Sequence, residues 1–153
     1  MSRYGHAFGM NVVGYDPHVD PWPTGIEQLP IEQVFETSDV ISIHVHLSEE
    51  TRGLVSSSLI RRIKRGAILI NTSRGGIANE AAILQALESG QLGAVGLDVL
   101  DGEPEIKDHP LVTYAQQQNN LLITPHCGGY SPDAIRLVCR RAAEKILPYL
   151  DNA

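Results

Sequence analysis

Cysteine is nearly missing from this chain: only Cys127 and Cys139 occur among 153 residues. That excludes a disulfide framework and points to a reducing, cytoplasmic compartment. Long apolar runs are missing too, and none approaches the roughly 18 residues of a membrane span. The opening Met1-Ser2-Arg3-Tyr4-Gly5-His6 lacks the apolar stretch of a signal peptide. Basic charge is in deficit, with 12 Lys and Arg against 18 Asp and Glu and a net charge of −6. Nucleic acid and anionic membrane are therefore disfavoured as partners, since both need a basic surface. A small anionic ligand stays open, because it responds to a local Arg. There is no internal repeat, low-complexity tract or linker.

What is there suffices for one domain: 42% of residues are hydrophobic and 20% charged. Residues 3–9 read as the tail of a helix stopped by Gly9. Residues 11–15 read as a short buried strand closed by Asp16-Pro17, and 25–29 as a weak edge strand. Pro30 opens a short helix with Ile31, Val34 and Phe35 on one face. Residues 40–44 are the next strand. Ser56 caps a helix that turns Leu59, Ile60 and Ile63 inward and stops at Gly66. Strand 67–71 comes next, then a helix from the Asn79 cap to Gly90. Strands 92–99 and 121–124 are separated by a polar connection, 101–120. Ser131-Pro132-Asp133 starts a helix whose expected buried stripe is Ile135, Val138, Cys139, Ala142 and Ile146. Strands alternating with short helices predict an α/β fold, a Rossmann-type doubly wound parallel sheet covered on both faces.

Three chemistry-bearing side chains stand just beyond strands. Arg74 lies in Asn71-Thr72-Ser73-Arg74-Gly75-Gly76, Glu103 in Gly102-Glu103-Pro104, and His126 in Thr124-Pro125-His126-Cys127-Gly128-Gly129. The carboxyl ends of successive strands are where open α/β sheets place ligands. A guanidinium there clamps an anion, and an imidazole oriented by a carboxylate moves a proton. Each residue alone has an ordinary reading as a surface Arg, a loop acid or a strand-ending His; their joint occurrence argues otherwise. Asp16, at the end of a strand, has the place of the acid that accepts hydrogen bonds from an adenosine ribose, which favours NAD over NADP; its ordinary reading is a turn Asp before proline.

The phosphate turn that belongs with such an acid is not found. No Gly-x-Gly-x-x-Gly occurs, and 15 residues precede Asp16 where roughly 20 are needed. The expectation is a chain that begins inside the first helix and lacks the first strand. In the order 3-2-1-4-5-6 that strand is central, so 11–15 and 40–44 should stand apart by roughly 10 Å, two strand spacings. Such a fragment is expected to be poorly stable alone or to pair with another chain.

Several segments together resemble the cofactor domain of the D-isomer-specific 2-hydroxyacid dehydrogenases. They are residues 8–17, 39–45, 69–76, 96–99 with Glu103-Pro104, and Thr124-Pro125-His126, in the right order over nearly the whole chain. The resemblance implies a partial dinucleotide-binding domain over 1–153, with the substrate domain absent and the isolated chain inactive. It implies NAD as cofactor, a 2-keto or D-2-hydroxy acid as substrate, and a homodimer for the full-length protein. It implies that Arg74 binds the substrate carboxylate, that His126 is the general acid/base, and that Glu103 pairs with it within hydrogen-bond reach. Asp98 would accept from the nicotinamide carboxamide. Thr72, Ser73, Tyr15 and His44 would line the cofactor, and Asp16 would hold the ribose. A corepressor-type scaffold of the same fold, using NAD to control assembly, is the alternative. His46-Leu47-Ser48 departs from the family's Pro-Leu-Thr, and Cys127 replaces a usual aliphatic.

The remaining residues read quietly. His44-x-His46 puts two rings on one strand face, but no third metal ligand of suitable spacing accompanies them. His6, His18 and His109 are expected in solvent, Cys127 packed, and Cys139 in the core. Trp22 either packs the domain or faces the absent one.

Overall fold

The computed structural model describes residues 1–150. Two short parallel strands, β1 (Val13–Gly14) and β2 (Glu27–Gln28), form a sheet of their own. The main sheet runs β3 (Val40–Ile43), β4 (Ala67–Asn71), β5 (Leu92–Leu97) and β6 (Leu121–Ile123), in that order and all parallel. This is the Rossmann-type α/β arrangement. β1 and β3 belong to different sheets and do not pair with one another.

Among the described residues six α-helices accompany the strands: α1 (Ser2–Ala7), α2 (Ile31–Thr37), α3 (Ser57–Arg62), α4 (Glu80–Glu88), α5 (Pro110–Ala115) and α6 (Pro132–Leu150). Their ends are set by local chemistry. The Ser56 hydroxyl accepts from the Leu59 amide, and the Asn79 side chain accepts from Ala82 at 2.9 Å. Gly66 and Gly90, at φ 84° and 69°, turn the chain back into β4 and β5. Helices α2 to α5 pack side by side. They close over Ile41, Ile43, Leu69, Val95, Leu97 and Leu121, and Leu69, Ile77, Ile83 and Leu92 are fully buried between the layers. Burying four such side chains contributes about 1.5–3 kcal/mol each before entropy is counted.

Five expectations are corrected. The 101–120 connection contains α5, whose Leu111 is buried; Pro110 at its first position is a start signal inside an otherwise polar stretch. The α6 stripe is not buried. Val138 is 68% and Ile146 55% exposed, and Ile135 and Cys139 are exposed too. The amphipathic pattern exists, but α6 packs on none of the described elements to any extent, so the stripe has nothing to close against. The sheet is not covered on both faces as expected: on the side opposite α2–α5, Val40, Ile68 and Leu122 remain exposed. His109 is largely buried against Glu80 rather than solvated. Cys127 is exposed, because its backbone turns around Asp98 instead of entering the core. Trp22 packs within the chain, its indole N–H donating to the Ile26 carbonyl at 2.7 Å.

Candidate active site

The register of the sheet assembles the site. Ile43, Asn71, Leu97 and Ile123 are level across β3, β4, β5 and β6. The residues just past these strand ends share one carboxyl edge: His44, Thr72 to Arg74, Asp98, and Thr124 to His126. Thr72, Arg74, Asp98, His126 and the Gly128–Tyr130 segment line an open cleft of about 610 Å³ at that edge. That volume is within the range of small-molecule sites.

Arg74 is presented by a shaped loop. Asn71, 1% exposed at the end of β4, donates from Nδ2 to the Arg74 carbonyl at 2.9 Å and accepts from the Ser73 amide at 3.0 Å. The Ser73 hydroxyl donates to the Ile43 carbonyl at 2.9 Å, tying the loop to the neighbouring strand end. Ser73 is thus engaged in the fold, while Thr72 lines the cleft. The exposed guanidinium uses one Nη1 contact, 2.6 Å to the Ser73 carbonyl, and keeps its remaining N–H groups for a ligand.

His126 and Glu103 meet. The ring Nδ1 lies 2.6 Å from Glu103 Oε2, so the contact expected between them is present. The other oxygen of Glu103 accepts from the Leu100 amide at 2.6 Å, which orients the carboxylate. The His126 backbone stands at φ 51°, a left-handed conformation that a non-glycine residue holds at a cost of about 1–3 kcal/mol.

Asp98 holds that turn. Its Oδ1 accepts from Thr124 Oγ1 at 2.5 Å and the Cys127 amide at 2.9 Å, and Oδ2 accepts from the Gly128 amide at 2.8 Å. Burial alone pushes its carboxyl up, but the hydrogen bonds from Thr124, Gly128 and Cys127 outweigh it and hold the group below its ordinary value. The ion is therefore the stable form, fastening the segment that carries His126.

The other cofactor candidates stand apart from this cleft. Tyr15 and Asp16 come after β1, and Asp16 Oδ1 accepts from the His18 amide at 2.9 Å. His44 comes after β3, with Nε2 2.8 Å from Ser42 Oγ. Among the described residues no group of three potential metal ligands occurs. Sequence reasoning missed Asn71 and Thr124 as parts of the site. The signal for both is a polar residue closing an apolar strand, where its side chain serves the next loop.

Comparison with known proteins shows the family. Residues 1–128 match the family model described as "D-isomer specific 2-hydroxyacid dehydrogenase, NAD binding domain". The chain is 34% identical over 152 residues to a glyoxylate reductase of Korarchaeum cryptofilum, covering 97% of this chain and 45% of that protein. Among solved structures, it superposes on an acyclic imino acid reductase in complex with NADPH and D-Arg with a TM-score of 0.88 at 30% identity, over 99% of this chain and 47% of that one. It superposes on a D-lactate dehydrogenase from Aquifex aeolicus complexed with NAD and lactic acid with a TM-score of 0.80 at 27% identity, over 99% and 49%. The chain thus spans about half the length of the curated relatives it matches, or less.

Proposed function

The chain belongs to the D-isomer specific 2-hydroxyacid dehydrogenases, whose NAD binding domain its residues 1–128 match, and from that premise we propose that it carries the nucleotide-binding side of a cleft that interconverts a 2-keto acid and a D-2-hydroxy acid. Bound NADH supplies the hydride to the carbonyl carbon. The observation that carries the reading is the His126–Glu103 contact of 2.6 Å beside a cleft that Arg74 also lines.

The residues present fit such a cofactor. Asp98 Oδ2 has one hydrogen bond, from Gly128, so a lone pair remains for a carboxamide N–H. Asp16 uses Oδ1 for His18 and keeps Oδ2 for ribose hydroxyls. Its charge would repel a 2′-phosphate, which is the basis for NAD over NADP. Thr72 faces the same cleft.

The protein's own part is binding and proton transfer. Arg74 takes the substrate carboxylate with the N–H groups left free by Ser73; a planar fork fixes the substrate's orientation as well as its charge. His126 donates through Nδ1 to Glu103, so Nε2 is the nitrogen that serves the substrate. In reduction it gives its proton to the keto oxygen as the carbon gains hydride; in oxidation it takes the hydroxyl proton back. Glu103 keeps the ring in the tautomer that leaves Nε2 for this task.

The test is NADH oxidation by the full-length protein, in which both sides of the cleft are present, measured against glyoxylate, hydroxypyruvate, pyruvate and phosphohydroxypyruvate, with NADH binding monitored by fluorescence. Turnover of one of these, lost in both Arg74→Ala and His126→Ala while NADH still binds, is the expected result. Turnover that survives His126→Ala unchanged would sink the assignment.

A further inference from the structure

A second carboxylate–imidazole pair lies outside the cleft. His109 Nε2 is 2.9 Å from Glu80 Oε2, with the side chains only 17% and 13% exposed. Neither group takes part in the proton transfer assigned to His126. Burial pushes the Glu80 carboxyl up, against the pull of the Asp101 amide and His109, so the site keeps an acid where solvation does not favour one.

The contacts of this pair lead to the dyad. Glu80 Oε1 accepts from the Asp101 amide at 2.9 Å. The preceding amide, Leu100, is gripped by Glu103 Oε1 at 2.6 Å. Two consecutive N–H groups are therefore held by two carboxylates, one from the start of α4 and one that also holds His126. On its far side, the His109 Nδ1 accepts from the Leu111 amide at 3.2 Å and caps α5. An Nδ1 that accepts leaves the proton on Nε2, so His109 donates to Glu80. The Leu100–Asp101 peptide is also the one against which Gly75 packs, at a distance that leaves no space for a Cβ.

We propose that Glu80 and His109 are positioning residues: they lock the Leu100–Asp101 peptide so that Glu103 meets both Leu100 and His126. This inference rests on the role proposed for His126 and Glu103. Neither Glu80 nor His109 lines the cleft, so they act only through the 100–103 segment.

The test uses the full 153-residue chain, labelled with nitrogen-15, and reads amide hydrogen exchange together with the His126 ring resonances. Glu80→Ala is expected to speed exchange at both Asp101 and Leu100 by about tenfold or more, the worth of a hydrogen bond to a charged group. The Nδ1–H signal of His126 should weaken in parallel, while amides of Leu69 and Ile83 keep their protection. Faster exchange at Asp101 alone, with Leu100 and His126 unchanged, overturns the proposal and leaves Glu80 as a local cap. Should Glu80→Ala open Leu69 and Ile83 as well, His109→Ala decides: it is expected to speed Leu100 with Leu69 unaffected, and an unchanged Leu100 rate overturns the proposal. His109→Gln, which keeps a donor where Nε2 stood, should restore the Leu100 rate, and failure to do so removes His109 from the device. None of these readings needs substrate. A loss of the NADH-turnover assignment would therefore leave them standing, and they fail separately from it.

Discussion

The Nδ1 of His126 lies 2.6 Å from a carboxylate oxygen of Glu103 while the His126 backbone is held at φ 51°. Both features are fixed by the segment that follows β5. Asp98, after β5, fixes the amides of Cys127 and Gly128, and Leu100 fixes the free oxygen of Glu103. The ring is thus set by its neighbours before any ligand arrives, which is what proton transfer to a positioned substrate requires.

Replacing the carboxylate by an amide separates orientation from charge. In Glu103→Gln the side-chain oxygen can still take the Leu100 amide, which turns the NH2 group toward Nδ1 of His126. That nitrogen must then accept, and no anion faces the ring. The expected outcome is a fall in kcat of about a hundredfold or more, the usual worth of an acid/base group, with KM for the 2-keto acid little changed. Steady-state kinetics with saturating NADH checks it, and a raised KM at unchanged kcat would contradict the assigned role.

Arg74→Lys keeps the charge and removes the fork. The guanidinium spends one N–H on Ser73 and has others for a carboxylate; an ammonium offers a single point of contact. The expected change is a drop in kcat/KM of about tenfold to a hundredfold, carried mainly by KM, in line with losing one charge-assisted hydrogen bond. NADH affinity should stay as it was.

Much of the fold and the site is legible in the sequence, and the parts that are not share a cause. The strand ends, the Ser56 and Asn79 caps and the trio of Arg74, Glu103 and His126 are local signals, written within a few residues of where they act. The exposure of α6 is not legible, because periodicity reports an apolar stripe but not whether a surface exists to cover it; Val138 and Ile146 stay in solvent. Asn71 reads in sequence only as part of a strand, yet its side chain shapes the Arg74 loop. His109 resembles a loop histidine, because its partner Glu80 is 29 residues away and only the tertiary fold brings them together.

Asp98 ties stability to acid. Its folded-state carboxyl is held below the ordinary value of 3.8 by the Thr124, Gly128 and Cys127 donors, which outweigh burial. A depressed carboxyl contributes stability that is complete above the unfolded value and is lost as pH falls through the folded one. The melting temperature should therefore decline below about pH 4, starting near the ordinary aspartate value. Asp98→Asn replaces an acceptor by a donor in a pocket of donors. It should cost about 1–3 kcal/mol at neutral pH, a fall of about 2–4 °C for each kcal/mol in a chain of this size. The gap between wild type and variant should narrow in acid; a gap constant down to about pH 2 would show that the depression is not there.

Gly75 joins the two halves of the trio through contact rather than charge. A Cβ built on it would lie 2.1 Å from the Asp101 nitrogen and from the Leu100 carbonyl carbon. These are backbone atoms of the peptide that precedes Glu103, and neither can swing aside as a side chain would. Gly75→Ala must therefore push the Arg74 loop and the Glu103 segment apart. The expected cost is about 1–3 kcal/mol or more in stability, together with loss of turnover greater than that stability change explains, since Arg74 and Glu103 move relative to one another. Gly96→Ala is the matched control: its added methyl would meet only Ile70 Cγ1 at 3.9 Å, ordinary contact, within β5. Thermal melting and kinetics on the pair read the difference. If both alanines behave alike, the two loops are not coupled through Gly75, and the positions of Arg74 and Glu103 are set independently by Asn71 on one side and Leu100 on the other.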